Sequence, residues 1–89
     1  MKIAVVGSGI SGLSAAYFLA PKHQVVLFEQ DSRVGGHTNT IVVKTPTGEQ
    51  PVDTGWIVYN GVNYPNLTAL FRDFKIETRP TAMSFGVSL

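Results

Sequence analysis

Residues 3–29 run Ile3-Ala4-Val5-Val6-Gly7-Ser8-Gly9-Ile10-Ser11-Gly12-Leu13-Ser14-Ala15-Ala16-Tyr17-Phe18-Leu19-Ala20-Pro21-Lys22-His23-Gln24-Val25-Val26-Leu27-Phe28-Glu29. Ile3 to Val6 is a short apolar run without alternation, stopped by Gly7, which is the pattern of a strand buried on both faces inside a parallel sheet. From Ile10 to Ala20 the apolar positions Ile10, Leu13, Ala16, Tyr17 and Ala20 recur at spacings of three and four, and Ala15, Ala16 and Leu19 add helix propensity. The spacing predicts one helix, ended by Pro21. Val25 to Phe28 is a second continuous apolar run that finishes at Glu29. Strand, helix and strand within 29 residues make a βαβ unit.

Between the first strand and the helix, Gly7-Ser8-Gly9-Ile10-Ser11-Gly12 has the form G-x-G-x-x-G. The bare pattern is weak, but a buried strand before it and a helix after it give it physical meaning. Gly7 permits the tight turn, Gly9 lets the backbone approach a pyrophosphate, and Gly12 lets the helix pack closely on the sheet. The free N–H groups of the first helical turn, with the helix dipole, attract a diphosphate. Glu29 stands 22 residues after Gly7, at the end of the second strand, where a carboxylate accepts hydrogen bonds from ribose hydroxyls and repels a 2′-phosphate. The competing assignment is a Gly-rich turn with a solvated Glu. Pattern alone leaves NAD and FAD both open, because each contains an ADP moiety that would sit in the same place.

Working outward, residues 30–40 are polar and contain Gly35-Gly36, the composition of a loop. Residues 41–44 and the region of Val52 flank Pro46-Thr47-Gly48, which predicts an antiparallel hairpin. Pro65 suits a first helical position, and Leu67, Leu70, Phe71 and Phe74 mark a second amphipathic helix. Residues 76–79 read as a short strand or connection closed by Pro80. Met83, Phe85, Val87 and Leu89 alternate with small or polar residues, the period-two signature of a strand with one buried face. The chain stops inside that strand, so it is expected to be a fragment with unfinished sheet edges.

Composition narrows the function. Eighty-nine residues make one small domain at most, and hydrophobic residues at 44% against charged residues at 15% exclude disorder. Seven Lys and Arg against six Asp and Glu, without a run of like charge, leave no footprint for nucleic acid or anionic lipid. Without cysteine there is no disulfide framework, thiolate nucleophile or cysteine-ligated metal, and a reducing cytoplasm fits. No metal site is assigned. The apolar N-terminus has the outline of a signal peptide, but three glycines and three serines interrupt residues 7–14, and no apolar run approaches the roughly 18 residues of a membrane span. Asp31, Asp53, Asp73, Glu49 and Glu77 read as solvated or capping side chains, and Ser11 has no base at motif spacing, so no catalytic acid, base or nucleophile is named.

After Glu29 come Gln30 and Arg33-Val34-Gly35-Gly36-His37. Here the chain resembles the flavin-containing amine oxidase and carotenoid desaturase superfamily, whose members carry an acidic residue followed by R-x-G-G-[RHK]. The resemblance runs through residues 3–17, 28–37 and Val52-Asp53-Thr54-Gly55-Trp56-Ile57-Val58-Tyr59-Asn60, and it is nearest to a bacterial amine-oxidase-like branch with counterparts of residues 64–71 and 83–88. It implies an α/β, Rossmann-like βαβ FAD/NAD(P)-binding fold, incomplete here, with an added antiparallel hairpin and a second helix. Residues 1–36 would be the dinucleotide-binding unit with its Gly-Gly loop, and 1–89 the N-terminal portion of an FAD-binding domain.

The cofactor so implied is FAD, held by Gly7, Ser8, Gly9, Ile10, Ser11 and Gly12 at the pyrophosphate and by Glu29 and Gln30 at the adenosine ribose. Arg33, Gly35 and Gly36 would line the ribose and phosphate channel. His37 stands where many amine oxidases have Arg, which would make any phosphate neutralisation weaker and pH-dependent; a structural histidine is the competing assignment. Asp53-Thr54-Gly55 resembles the D-x-G beneath the flavin, with Trp56 or Tyr59 near the ring, against the alternative of a strand end with ordinary core aromatics. Ala82 replaces an expected acidic residue. The superfamily's second flavin-binding stretch and its substrate domain would be expected beyond these 89 residues. The implied function is the FAD-binding segment of a flavin-dependent oxidoreductase acting on a small molecule bound by the missing region. The alternatives are a non-catalytic nucleotide-binding fragment and an NAD-dependent dehydrogenase.

Overall fold

The computed structural model describes residues 1–55 and 57–89. They fall into two compact units, Met1–Ile57 and Val58–Leu89.

In the first unit, β1 (Lys2–Val6), α1 (Ile10–Leu19) and β2 (Gln24–Phe28) form the expected strand, helix and strand. β1 and β2 pair in parallel, from Lys2 opposite Gln24 to Val6 opposite Phe28. Backbone bonds extend the ladder at both ends, from Gln24 N to Met1 O at 3.0 Å and from Gly7 N to Phe28 O at 2.7 Å. The helix ends where Pro21 removes an N–H donor, and the amides of Ala20, Lys22 and His23 close its last turn on Ala16 O and Leu19 O.

α1 packs on β1 and β2. Along both strands the side chains alternate: Ile3, Val5, Val25 and Leu27 are half-buried, whereas Val6, Val26 and Phe28 are exposed. The helix lies on the Val5 side, since a Cβ on Gly12 would sit 3.5 Å from Val5 Cγ1. The expectation of strands buried on both faces is thus corrected. Continuous apolar runs are written for a sheet covered twice, and within this unit one helix covers one face. Among the described residues no hydrophobic side chain is buried, and Ser8 is the fully buried one.

β3 (Thr40–Thr45) and β4 (Gly48–Asp53) form the predicted hairpin, registered from Thr40 opposite Asp53 to Thr45 opposite Gly48. Pro46 and Thr47 make the turn, and Gly48 sits at φ 127, a left-handed conformation that glycine adopts without a Cβ clash. The Thr45 hydroxyl donates to Gly48 O at 2.7 Å and the Thr40 hydroxyl to Asp53 Oδ1 at 2.6 Å, tying both ends of the ribbon. Every residue of the hairpin is exposed.

In the second unit α2 (Pro65–Asp73) begins with Pro65 in its first turn, as the sequence predicts. Tyr59 packs its ring edge-to-face on Phe71, with centroids 5.2 Å apart. Lys75 at φ 55 reverses the chain, and Ile76 N donates back to Phe71 O at 2.8 Å, a helix ending that glycine usually supplies. Residues 76–79 form a connection, not a strand. The strand expected over 83–89 does not form: these residues are exposed and have no sheet partner among the described residues, and a period-two pattern without a neighbouring strand leaves the backbone groups to water.

Candidate functional site

Parallel pairing places the C-terminal ends of β1 and β2 side by side, so that the Gly7-Ser8-Gly9 turn and Glu29 emerge at one edge. Gly7, at φ 97, turns the chain out of β1. Gly9 is the N-cap of α1 in an extended conformation, and among the described residues no side chain caps the helix. The first intrahelical bond is Leu13 N to Gly9 O at 3.0 Å, so the amides of Ile10, Ser11 and Gly12 stand before the ladder begins. These amides carry the positive end of the helix dipole with no acidic residue beside them in the first turn.

Two glycines have steric reasons that the structure makes explicit. A Cβ on Gly12 would collide with the carbonyl oxygen of Gly7, so helix and turn approach as closely as backbones allow. A Cβ on Gly36, which sits at φ 60, would come 2.9 Å from Gly9 Cα. The Gly-Gly loop therefore lies against the glycine-rich turn, and Gly35 N donates to Ser8 O at 2.8 Å to hold it there. At Gly9 itself a Cβ would meet nothing within 4 Å among the described residues, so none of these residues fills that side of the turn.

Glu29 closes the constellation. Its Oε1 accepts from both the backbone N–H of Ser8, at 3.0 Å, and the Ser8 hydroxyl, at 2.5 Å, while Oε2 accepts from the amide of Asp31 at 3.1 Å. These bonds, the Ser8 hydroxyl foremost, hold the carboxyl at about 2, well below its ordinary 4.5. The group is a fixed anion over the range in which proteins work.

Other expected site residues are placed differently. Arg33 folds over its own loop: Nη1 donates to Val34 O and Thr38 O at 3.1 and 3.3 Å, and Nη2 to Gly36 O at 2.6 Å. In this structure its guanidinium fastens the loop rather than pointing as an open cation. Gln30 is exposed beside Glu29, and its backbone adds a small share to the lowered carboxyl. Gly55 lies against the His37 backbone, where a Cβ would collide with the His37 carbonyl oxygen, and Thr54 bonds through both N and Oγ1 to Asn39 O. The Asp53-Thr54-Gly55 segment thus returns from the hairpin to the end of the Gly-Gly loop. Trp56 lies outside the described residues. Tyr59 belongs to the second unit, with its ring on Phe71.

A shallow open depression also lies at the other end of the strands, lined by Met1, Lys2, Pro21, Lys22, His23 and Gln24. Ligands of parallel α/β sheets bind beyond the carboxyl ends of the strands, which is where the glycine turn stands. Among the described residues no group of three or more His, Asp or Glu side chains is placed to hold a metal ion.

Residues 5–74 match the family model described as an NAD(P)-binding Rossmann-like domain. The chain belongs to that family. This Rossmann-like domain is 34% identical over 80 residues to 15-cis-phytoene desaturase of Synechococcus elongatus, a match covering 89% of the chain and 16% of the relative. It is 58% identical over 40 residues to L-amino-acid oxidase of Pseudechis australis, covering 44% of the chain and 8% of the relative. It is also 48% identical over 42 residues to 4,4'-diapophytoene desaturase of Staphylococcus aureus, covering 46% and 8%. The chain therefore corresponds to the N-terminal region of the amine oxidase and carotenoid desaturase superfamily, and its matches span 8 to 16% of the length of these curated relatives. As a dinucleotide-binding domain it is built for a nucleotide cofactor.

The partnership of Ser8 with Glu29 was not visible in the sequence. A small polar residue between two glycines has many uses, and only the parallel register puts it opposite an acid 21 positions away.

Proposed function

We propose that the chain is the FAD-binding N-terminal segment of a flavin-dependent, amine-oxidase-like oxidoreductase. The observation that carries the reading is the Glu29 carboxylate fixed at the end of β2 beside the uncapped start of α1. The residues present fit the ADP half of the cofactor. The amides of Ile10, Ser11 and Gly12 would take the diphosphate, Gly9 would give it backbone clearance, and Glu29 would accept hydrogen bonds from the ribose. Arg33 and Gly35-Gly36 would shape the channel wall through the loop they hold, His37 would lie near the phosphates, and Gly55 would give backbone clearance toward the ring.

When bound, FAD would supply the redox chemistry, with hydride from a C–N, C–C or related bond of a small-molecule substrate taken up at flavin N5. What these residues do is bind and orient: the helix start offsets diphosphate charge, and the fixed anion of Glu29 disfavours a 2′-phosphate. Similarity to an amino acid oxidase and to two desaturases supports a flavin over a nicotinamide cofactor. The cytoplasm is the compartment proposed, on the cysteine-free composition.

Titration calorimetry with ADP, FAD, NAD and NADP tests the reading. ADP and FAD should bind, and NADP should bind about tenfold or more weakly than NAD, since a 2′-phosphate meets the Glu29 charge. Binding of NAD with no affinity for FAD would favour a nicotinamide-dependent dehydrogenase, and no affinity for any adenine nucleotide would remove the site altogether.

A further inference from the structure

We propose that the Ser8 hydroxyl is a positioning residue for nucleotide recognition, holding the Glu29 carboxylate in the one orientation from which it meets the ribose. This inference rests on the nucleotide-binding reading above. Three observations carry it. Ser8 is completely buried, although it lies in a turn whose neighbours are half-buried or exposed. Its N–H and its hydroxyl converge on a single oxygen, Glu29 Oε1. Its carbonyl accepts the Gly35 amide, so one residue joins the glycine-rich turn, the acidic end of β2 and the Gly-Gly loop.

The geometry has a chemical consequence. A carboxylate offers about four acceptor positions. Two converging donors from Ser8 engage Oε1, whereas Oε2 takes the Asp31 amide at the longer distance of 3.1 Å, so Oε2 is the less tightly held oxygen and the one from which an incoming hydroxyl would be met. Without the hydroxyl, Glu29 would keep one backbone bond to Ser8 and would rotate among orientations that present either oxygen. Ordering it on binding would then cost affinity.

The ionisation of Glu29 supports the same assignment. Its lowering comes from hydrogen bonds alone, with the Ser8 hydroxyl the largest cause and the Asp31, Ser8 and Gln30 amides following. The charged groups nearest in the chain are Asp31, whose amide faces Oε2, and Arg33, whose guanidinium is committed to the carbonyls of Val34, Gly36 and Thr38. The neighbouring parts of β1 and α1 bring no charge, since Lys2 lies at the far end of its strand.

Ser8→Ala and Ser8→Gly remove the hydroxyl, the first keeping the Cβ in the buried turn and the second removing it too, and circular dichroism shows whether each keeps its fold. Carbon-13 titration of the Glu29 carboxyl in the 89-residue chain should place it about one pH unit or more higher in either variant than in the wild type. ADP affinity at neutral pH should fall about five- to tenfold, and the acid limb of the binding profile should move upward with the carboxyl. An unchanged Glu29 titration in both folded variants overturns the proposal. So does a shifted titration with unchanged ADP affinity and an unchanged acid limb. If the wild type binds neither ADP nor FAD, the nucleotide-binding reading falls and the role of Ser8 in recognition falls with it, while the carbon titration separately reports whether the hydroxyl governs Glu29.

Discussion

Glu29 makes the first prediction at the scale of single residues. Its folded carboxyl titrates at about 2 against an ordinary 4.5, so the bonds to Ser8 and Asp31 add stability that is complete above the ordinary value. That stability is lost as pH falls from there toward about 2. Amide exchange protection at Ser8 should therefore be level from neutral pH to about pH 5 and decline below it; Glu29→Gln should abolish the decline. Arg33 makes the second. Its guanidinium serves three loop carbonyls, so Arg33→Ala should loosen residues 34–38 and destabilise the loop by about 1 kcal/mol, measured by amide exchange. Arg33→Lys should not restore it, because a single ammonium cannot reproduce a planar fork across three carbonyls. Glycine spacing and the position of Glu29 were legible in the sequence, because each follows from where a strand must end. The inward turn of Arg33 was not. A guanidinium beside a phosphate-binding loop satisfies local carbonyls or a distant anion equally well on composition, and loop geometry decides between them.

At the scale of elements, the sequence placed β1, α1 and β2 to within a residue or so and showed the existence and order of the hairpin and α2, because each depends on local signals. Pro21 and Pro65 bound helices, and Pro46-Thr47-Gly48 bounds two strands. What it could not place was cover. An apolar run in β1 or β2 says that two layers are wanted, but the second layer is a matter of tertiary contact, and the faces carrying Val6, Val26 and Phe28 are exposed. The same limit applies to Met83 through Leu89, whose alternation needs a strand beside it. Close packing between elements sets the next prediction. Since a Cβ on Gly12 would strike the Gly7 carbonyl, Gly12→Ala should separate α1 from the turn and destabilise the βαβ unit by about 2 kcal/mol or more, read from chemical denaturation. The end of α2 offers a change of opposite sign. Lys75 holds a left-handed conformation at φ 55, and Lys75→Gly should strengthen protection of the last helical turn, by about 0.5 to 1 kcal/mol in amide exchange.

At the scale of the molecule, the balance of polar and apolar burial is unusual. Among the described residues Ser8, a polar side chain, is buried while no hydrophobic one is, and large apolar side chains such as Val6, Phe18, Val62 and Phe85 lie in contact with solvent. Hydrophobic burial is the main force that offsets the conformational entropy of folding, and here, among the described residues, it is limited to half-buried side chains such as Ile3, Val5, Val25 and Leu27. Such a chain has little stability in reserve, and a ligand that binds only the folded form then changes its apparent stability visibly. The isolated 89 residues should bind a hydrophobic dye such as ANS and melt over a broad temperature range. Added FAD or ADP at about a hundred times its dissociation constant should stabilise the folded form by about 2.7 kcal/mol and sharpen the transition, with the gain rising with the logarithm of ligand concentration. The control lies in the same site. Glu29→Gln should reduce the ligand-dependent shift while leaving dye binding in place, because dye binding reports uncovered sheet and helix faces and the shift reports the turn between β1 and α1. A sharp ligand-independent melt without dye binding would mean that these apolar faces are covered in solution, and the folding argument at this scale would fail.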